Sequence, residues 1–550
     1  MKEFAENNII KINGRNPITS MDFPDPDVIR IEDTYYMVST TMHFFPGCEI
    51  LRSYDLINWE HFTYVYERIE GTDAQKLESA KDNDNTYKHI YGQGMWAPCI
   101  RYHEGYYYII FSCNDTKKTY FYKSDKLNGK WSRGEIKGFY HDPSVLFMDG
   151  SVYIVYGNTD IHLTQLEEDL SKPKEGGIDR IIISDKGNPN LGYEGSHIYE
   201  IDGKIYVFLI HSKKEFWRRV EAVYWADSID GEFMGGDILD EDLGFRNSGL
   251  AQGGIVDDGL GNYYIMVFQD SGAVGRVPNL VPCEIENGKI LVRYKGEELK
   301  NIETYYIKNI SNVVSSKSTT KSNENSDMYA YEPLISNDDF SYLTKLEKDK
   351  YNDRLYGCFG LKSMWQFSHE PNLELISVNE GRLSIKTDRV VNNLFYAKNT
   401  LTVRMVYPGC DASVLLKADS LNDGDFAGLA AFQGDYAFVG IMKDDGKLYK
   451  VMCDFYSDED TWILTDKPCI IREKVLIDKD EVLISCRTTF ADEKDECEFA
   501  VDGERIGDVH KLKFRLDHFT GVRYGLFVYS TKKTGGSAAF SDFRINILEK

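Results

Sequence analysis

The stretch "PDVIRIEDTYYMV", residues 26–38, reads as strand, acidic turn, strand, and the chain repeats that plan four more times. The copies are "PCIRYHEGYYYII" (98–110), "PSVLFMDGSVYIV" (143–155), "SHIYEIDGKIYVF" (196–208) and "GIVDDGLGNYYIM" (254–266). Ten residues after the first position of each copy stands a tyrosine: Tyr36, Tyr108, Tyr153, Tyr206 and Tyr264. Two β-rich runs joined by an acidic or glycine turn are the pattern of a β-hairpin. The copies begin 72, 45, 53 and 58 residues apart, with more strand-like segments between them. Five such units predict a five-bladed β-propeller, an architecture that repeats a small sheet around a channel. Nothing between residues 20 and 300 has the pattern of a long amphipathic helix, which disfavours a βα-barrel. A large β-sandwich with chance hairpins is the bland alternative, and five in-phase matches weigh against it.

In a propeller the first strand of each unit lines the channel, so the residues just before it gather at the channel mouth. They are Asp25, Ala97, Asp142, Gly195 and Gly253, and one step earlier Pro24, Trp96, His141, Glu194 and Gln252. Pro24 and Pro26 bracket Asp25 and restrict the backbone that carries it. Singly, each signal has an ordinary explanation. Asp before Pro is common turn chemistry, Glu194 in "GYEGSH" reads as a loop glutamate, and Trp96 reads as core. Asp27 points to the other side of its strand and is expected to make a structural hydrogen bond. Together, three acids from three repeats at one mouth are hard to explain as structure, because like charges held close repel. Paired carboxylates beside aromatic rings suggest glycoside hydrolysis, in which one activates water and another protonates the leaving oxygen. The chain has no G-x-S-x-G, Walker loop or H-E-x-x-H to support another chemistry.

The segments "FPDPDVIR", "WAPCIRY", "HDPSVLF" and "YEGSHIY" resemble those of glycoside hydrolase family 43, the inverting β-xylosidases and α-L-arabinofuranosidases. "STTMHFFPG" (39–47) followed by "LRSYDLINWE" resembles the two-domain β-xylosidase branch. The resemblance implies Asp25 as general base, Asp142 as modulator of the acid's pKa and Glu194 as general acid. It also implies Trp96 stacking on the sugar and Arg276, in "GAVGRVP", touching the non-reducing-end unit. Phe44 and Phe45 are candidates for the pocket wall or for core. Many members carry a histidine in the last blade, in some beside an axial calcium; here "GLAQGGIVDD" has Gln252, so no cofactor is expected to be required and an axial calcium is in question. His197 is read as a structural neighbour of Glu194 that could partly compensate. The five-bladed fructosidases and invertases, which retain configuration, differ from "FPDPD", "HDPS" and "YEGS" in their motifs. A non-catalytic sugar-binding propeller would not need three convergent acids.

The rest of the chain sets the frame. Residues 1–300 are expected to hold the propeller, and 301–335, polar and Ser/Asn/Lys-rich, a linker or surface excursion. From 336 to 550, short alternating strands such as "LTVRMVY", "FAGLAAFQ" and "YGLFVYS" predict a C-terminal β-sandwich, making the whole chain all-β. The resemblance implies that this sandwich closes one side of the pocket, with Phe519 in "HFTGVRYG" the candidate that reaches in. A formal net charge of -24 argues against nucleic acid and anionic membranes as partners. The N-terminal "MKEFAENNIIKINGRNP" reads without a signal peptide, and ten cysteines lack CxxC spacing, so the expected location is the cytoplasm. The expected substrate is a xylo- or arabino-oligosaccharide, with a homo-oligomer left open.

Overall fold

The computed structural model describes residues 9–78, 89–307, 328–342, 358–457, 466–515 and 518–548. Five four-stranded antiparallel sheets follow one another in the chain, each built from consecutive strands. Their innermost strands are Asp27–Ile31, Met95–His103, Ser144–Met148, Glu194–Ile201 and Leu250–Asp257, defining blades I to V. Each inner strand touches the next, and that of blade V touches that of blade I, so the ring closes. At the seam, Ile9–Arg15 pairs with Asn301–Ile307 as a separate two-stranded sheet. The expected linker therefore begins as a strand. After it, Tyr329 and Tyr331 pack against Tyr54 of blade I, while residues 308–327 lie outside the described residues.

One feature of the repeat differs from its reading in sequence. In blades II and IV a bulge sets residues 97–98 and 195–196 opposite a single partner residue, and in blade V the bulged residues are 252–253. Gln252, not Gly253, is thus the counterpart of Asp25, Ala97, Asp142 and Gly195. The cause is hairpin length. The first four hairpins turn tightly, Ile31 pairing with Thr34, His103 with Tyr106, Met148 with Ser151 and Ile201 with Lys204. The fifth runs from Asp257 to Tyr263, so its tyrosine lies one residue later relative to the bulge. All five counterpart residues are left-handed, with φ of 50°, 39°, 45°, 64° and 60° in blade order. Bulges re-aim side chains at barrel rims and sites; aspartate tolerates this conformation better than most residues because its short polar side chain bonds locally.

Residues 366–547 form two seven-stranded antiparallel sheets packed as a sandwich. Propeller and sandwich share one apolar interior. Phe45, Tyr66, Tyr91 and Phe111 pack in the same cluster as Phe395, Phe432, Phe438 and Phe527. Backbone bonds between Phe45 and Phe367 run in both directions, at 2.9 and 2.7 Å, and a buried Arg404–Glu49 pair at 2.7 Å crosses the same boundary.

Candidate active site

The mouth of the channel has two walls. On the first, Asp25 is buried, and each carboxylate oxygen has a donor: Thr40 Oγ1 at 2.6 Å and an Arg276 guanidinium nitrogen at 3.0 Å. Thr40 in turn accepts the backbone N–H of Ala97 at 2.8 Å, linking blade I to blade II. Arg276 is held from behind: its backbone N–H donates to Asp22 at 2.8 Å, and its Nε lies 3.3 Å from Asp270. Its guanidinium sits 4.1 Å from the ring centre of Phe519 and 4.7 Å from that of Phe268. Phe519 comes from the sandwich and stacks on Trp96, with ring centres 5.4 Å apart and planes 15° from parallel. The Trp96 indole N–H is buried without a protein partner, a donor free to meet a ligand oxygen.

On the second wall Glu194 accepts from Asn158 Nδ2 at 2.6 Å and lies 3.2 Å from His141 Nε2. The same imidazole nitrogen is 3.5 Å from Asp142, whose other contact is the Gly195 backbone N–H at 3.1 Å. Burial alone would strip His141 of its proton, but the charges of Asp142, Glu194 and Asp25 outweigh it and raise its pKa to about 9. Burial, with Glu194 and Asp25 nearby, pushes Asp142 up to about 6, although the His141 charge opposes it. Burial also works to raise Glu194, yet the hydrogen bond and charge of His141, together with Arg219 and Arg276, bring it below the usual carboxylate range. The resemblance implies Asp142 as modulator of the acid's pKa; here the group whose proton affinity is raised most is the imidazole that lies between Asp142 and Glu194.

Below the mouth the axis is filled by protein. The Arg101 guanidinium donates to Asp27 at 2.7 Å, to Ser144 Oγ at 2.8 Å, and to the carbonyls of Ile100, Val145 and Ile198 at 2.6, 3.0 and 3.1 Å. The other oxygen of Asp27 meets His197 Nδ1 at 3.1 Å and the Tyr199 hydroxyl at 3.0 Å. Burial opposes ionisation of Asp27, but Arg101 and His197 hold its carboxyl well below the usual range. A guanidinium satisfied by carbonyls from three blades stands where an axial cation would need those oxygens, so the axis does not fit calcium. His141, Asp142 and Glu194 also bring three ligand atoms within 4.8 Å of one another. In this structure those atoms pair with one another, His141 Nε2 lying 3.2 Å from Glu194 and 3.5 Å from Asp142.

The remaining candidates fall into place around these walls. Gln252 is buried and packs against Gly195, where a Cβ would meet its Cγ at 2.7 Å. Its backbone N–H donates at 2.7 Å to Glu221, a buried carboxyl that burial raises in pKa. His197 belongs to the axis with Asp27 rather than to Glu194. Phe44 lies buried beneath the Arg523 guanidinium at 3.4 Å, and Phe45 in the core shared with the sandwich. His141, Asn158, Asp270 and Arg219 were not singled out from sequence. His141 occupies the same repeat position as Trp96 and Glu194, and that signal was available.

Carboxylates from three blades, a fixed arginine and a tryptophan stacked on Phe519 of the second domain define a propeller whose channel mouth is completed by a sandwich. Residues 14–231 match the family described as glycosyl hydrolases family 43, and residues 360–546 the beta xylosidase C-terminal concanavalin A-like domain. The chain belongs to glycosyl hydrolase family 43. It is 26% identical over 268 residues to a "Beta-xylosidase" of Formosa agariphila, covering 44% of this chain and 43% of that protein. It is 29% identical over 145 residues to a "Non-reducing end alpha-L-arabinofuranosidase" of Bacteroides ovatus, covering 26% of this chain and 25% of that one. The chain thus spans less than half the length of these relatives. Among solved structures, a "Bifunctional GH43-CE" of Bacteroides eggerthii superposes with a TM-score of 0.83 at 33% identity, over 98% of this chain and 64% of that one. Among the described residues no helix is long and apolar enough to cross a membrane.

Proposed function

We propose that the chain is an inverting exo-glycosidase that releases terminal xylose or arabinofuranose from hemicellulose-derived oligosaccharides. The observation that carries this reading is the meeting of Asp25, Asp142 and Glu194, from blades I, III and IV, around His141 and Arg276. The terminal sugar lies against Trp96 and Phe519, with Arg276 donating to its hydroxyls. Asp25, oriented by Thr40 and Arg276, keeps lone pairs for a water and draws a proton from it as that water attacks the anomeric carbon. Glu194 delivers a proton to the departing oxygen. That proton is stored on the His141–Glu194 pair: it rests on His141 and crosses the 3.2 Å contact as negative charge develops on the leaving oxygen. The Asp142 charge keeps the pair protonated at neutral pH by raising the proton affinity of His141. No step of this reading is routed through a metal.

The two relatives named a β-xylosidase and an arabinofuranosidase support both sugars as substrates. The test is a paired assay on aryl β-D-xyloside and aryl α-L-arabinofuranoside, followed by proton NMR during the first minutes. The expected first product has the anomeric configuration opposite to that of the substrate. A first product that keeps the substrate's configuration rejects inversion, and no turnover of either glycoside rejects the reading.

A further inference from the structure

Phe216 and Trp217 are 48% and 50% exposed, among the most exposed large aromatic side chains of the propeller. They stand on the 213–218 loop of blade IV, between the strands Lys204–Ser212 and Arg219–Ala226. Glu194 pairs with Ile210, and Ile210 with Glu221, so the loop leaves the blade at the end where Glu194 stands. Adjacent strands are about 4.8 Å apart, which places the loop about 5–10 Å outward from Glu194 across the blade.

The loop is fastened while its rings are left open. Asn247 Nδ2 donates to the Trp217 carbonyl at 3.2 Å, and Lys213 N–H to the Arg218 carbonyl at 3.1 Å. Asn190 Nδ2 holds the Lys213 carbonyl at 2.7 Å, and Arg218 pairs with Asp240 at 3.0 Å. The Arg219 guanidinium lies over the Trp217 ring, 5.6 Å from its centre, and is itself fixed to Asp270 at 2.6 Å. Asp270 is the residue behind Arg276, so the aromatic loop is continuous with the site through Arg219, Asp270 and Arg276. A cation under the indole fixes the ring without covering it. Two adjacent large rings, about half exposed on a fastened loop, present an apolar face at the rim.

We propose that Phe216 and Trp217 form a platform for the leaving portion of the substrate, receiving the outer units of a β-linked xylo-oligosaccharide of three or more sugars. This rests on the reading of Glu194 as the acid. The acid stands beside the glycosidic oxygen, so the units beyond that oxygen extend past Glu194 toward the outer edge of blade IV. There the apolar C–H face of a pyranose meets the electron-rich face of the indole. The pocket then selects the terminal sugar and the loop selects for chain length.

The experiment compares wild type with Trp217→Ala and Trp217→Phe on an aryl xyloside, xylobiose and xylotetraose. Trp217→Ala should lose about fivefold to tenfold more kcat/KM on xylotetraose than on the aryl xyloside, chiefly through KM, as expected for one stacking contact. Trp217→Phe should recover most of the loss. Equal losses on all three substrates, or none, overturn the platform. Binding is read separately by titrating xylotetraose into Asp25→Ala and into Asp25→Ala with Trp217→Ala. A weaker Kd in the second protein supports the platform even if turnover fails, and equal Kd values overturn it. Wild type inactive on every glycoside would instead count against the proposed function. If the exposed pair serves a protein partner, the substitution changes neither Kd nor the substrate ratio, and the inference falls.

Discussion

The two walls of the mouth are built differently. Asp25 is braced by the second domain: Arg276 lies beneath Phe519, and Asp22, which accepts the Arg276 backbone N–H, also accepts the Gly521 N–H at 2.9 Å. Glu194 takes its described contacts from the propeller alone, from His141 and Asn158 of blade III. The first wall holds a carboxylate in place by giving both oxygens strong donors. The second sets a carboxylate beside an imidazole so that a proton can be shared. In the proposed roles the base uses the first arrangement and the acid the second, so a different fixing of two similar side chains would be enough to give them different chemistry.

The sharpest way to break this contrast is to remove Asp25. Asp25→Ala should lower kcat by about 10⁴-fold on every substrate, the upper end of what a general base contributes, while circular dichroism stays native. Glu194→Ala should separate substrates: about 10²-fold or more on xylobiose, and far less on an aryl glycoside whose leaving group needs little protonation. A loss on xylobiose no greater than on the aryl glycoside would remove Glu194 as the acid. Phe519→Ala tests the reach of the sandwich. It should cost about tenfold in kcat/KM on both substrates alike, because it loosens the Asp25 wall and leaves the proton pair intact.

The pH profile sharpens the second wall. The alkaline limb reports loss of the proton held by the His141–Glu194 pair, with His141 near 9. In His141→Gln, Glu194 must hold that proton alone, so the limb should move to lower pH by at least about one unit. Asp142→Asn removes a negative charge that favours the protonated pair, so its limb should move the same way by less. A limb that stays in place in both variants would show that the pair does not store the proton. The smallest expected effect is that of metal. With Arg101 filling the axis, neither calcium nor a chelator should change Tm or the rate, and a rise in Tm with calcium would show an axial cation after all.

How much of this was legible beforehand follows from what a repeat can encode. Hairpins with a tyrosine in phase specify blades because side-chain alternation and turn composition are local properties. The same phase brings Asp25, Asp142 and Glu194 to one mouth without any tertiary information, since equivalent positions of a closed ring must converge. The sandwich was legible for the same local reason. Tertiary structure alone decided whatever depends on which side chains face each other across blades. The five-residue turn that shifts Gln252 into the bulge could be read only from strand pairing. Arg101 fills the axis because carbonyls from blades II, III and IV meet there, residues about 50 to 100 positions apart in sequence with no shared pattern. The upward shift of His141 and the downward shift of Glu194 depend on burial and on charges within a few ångströms, and electrostatic energy is set by distance in space rather than along the chain.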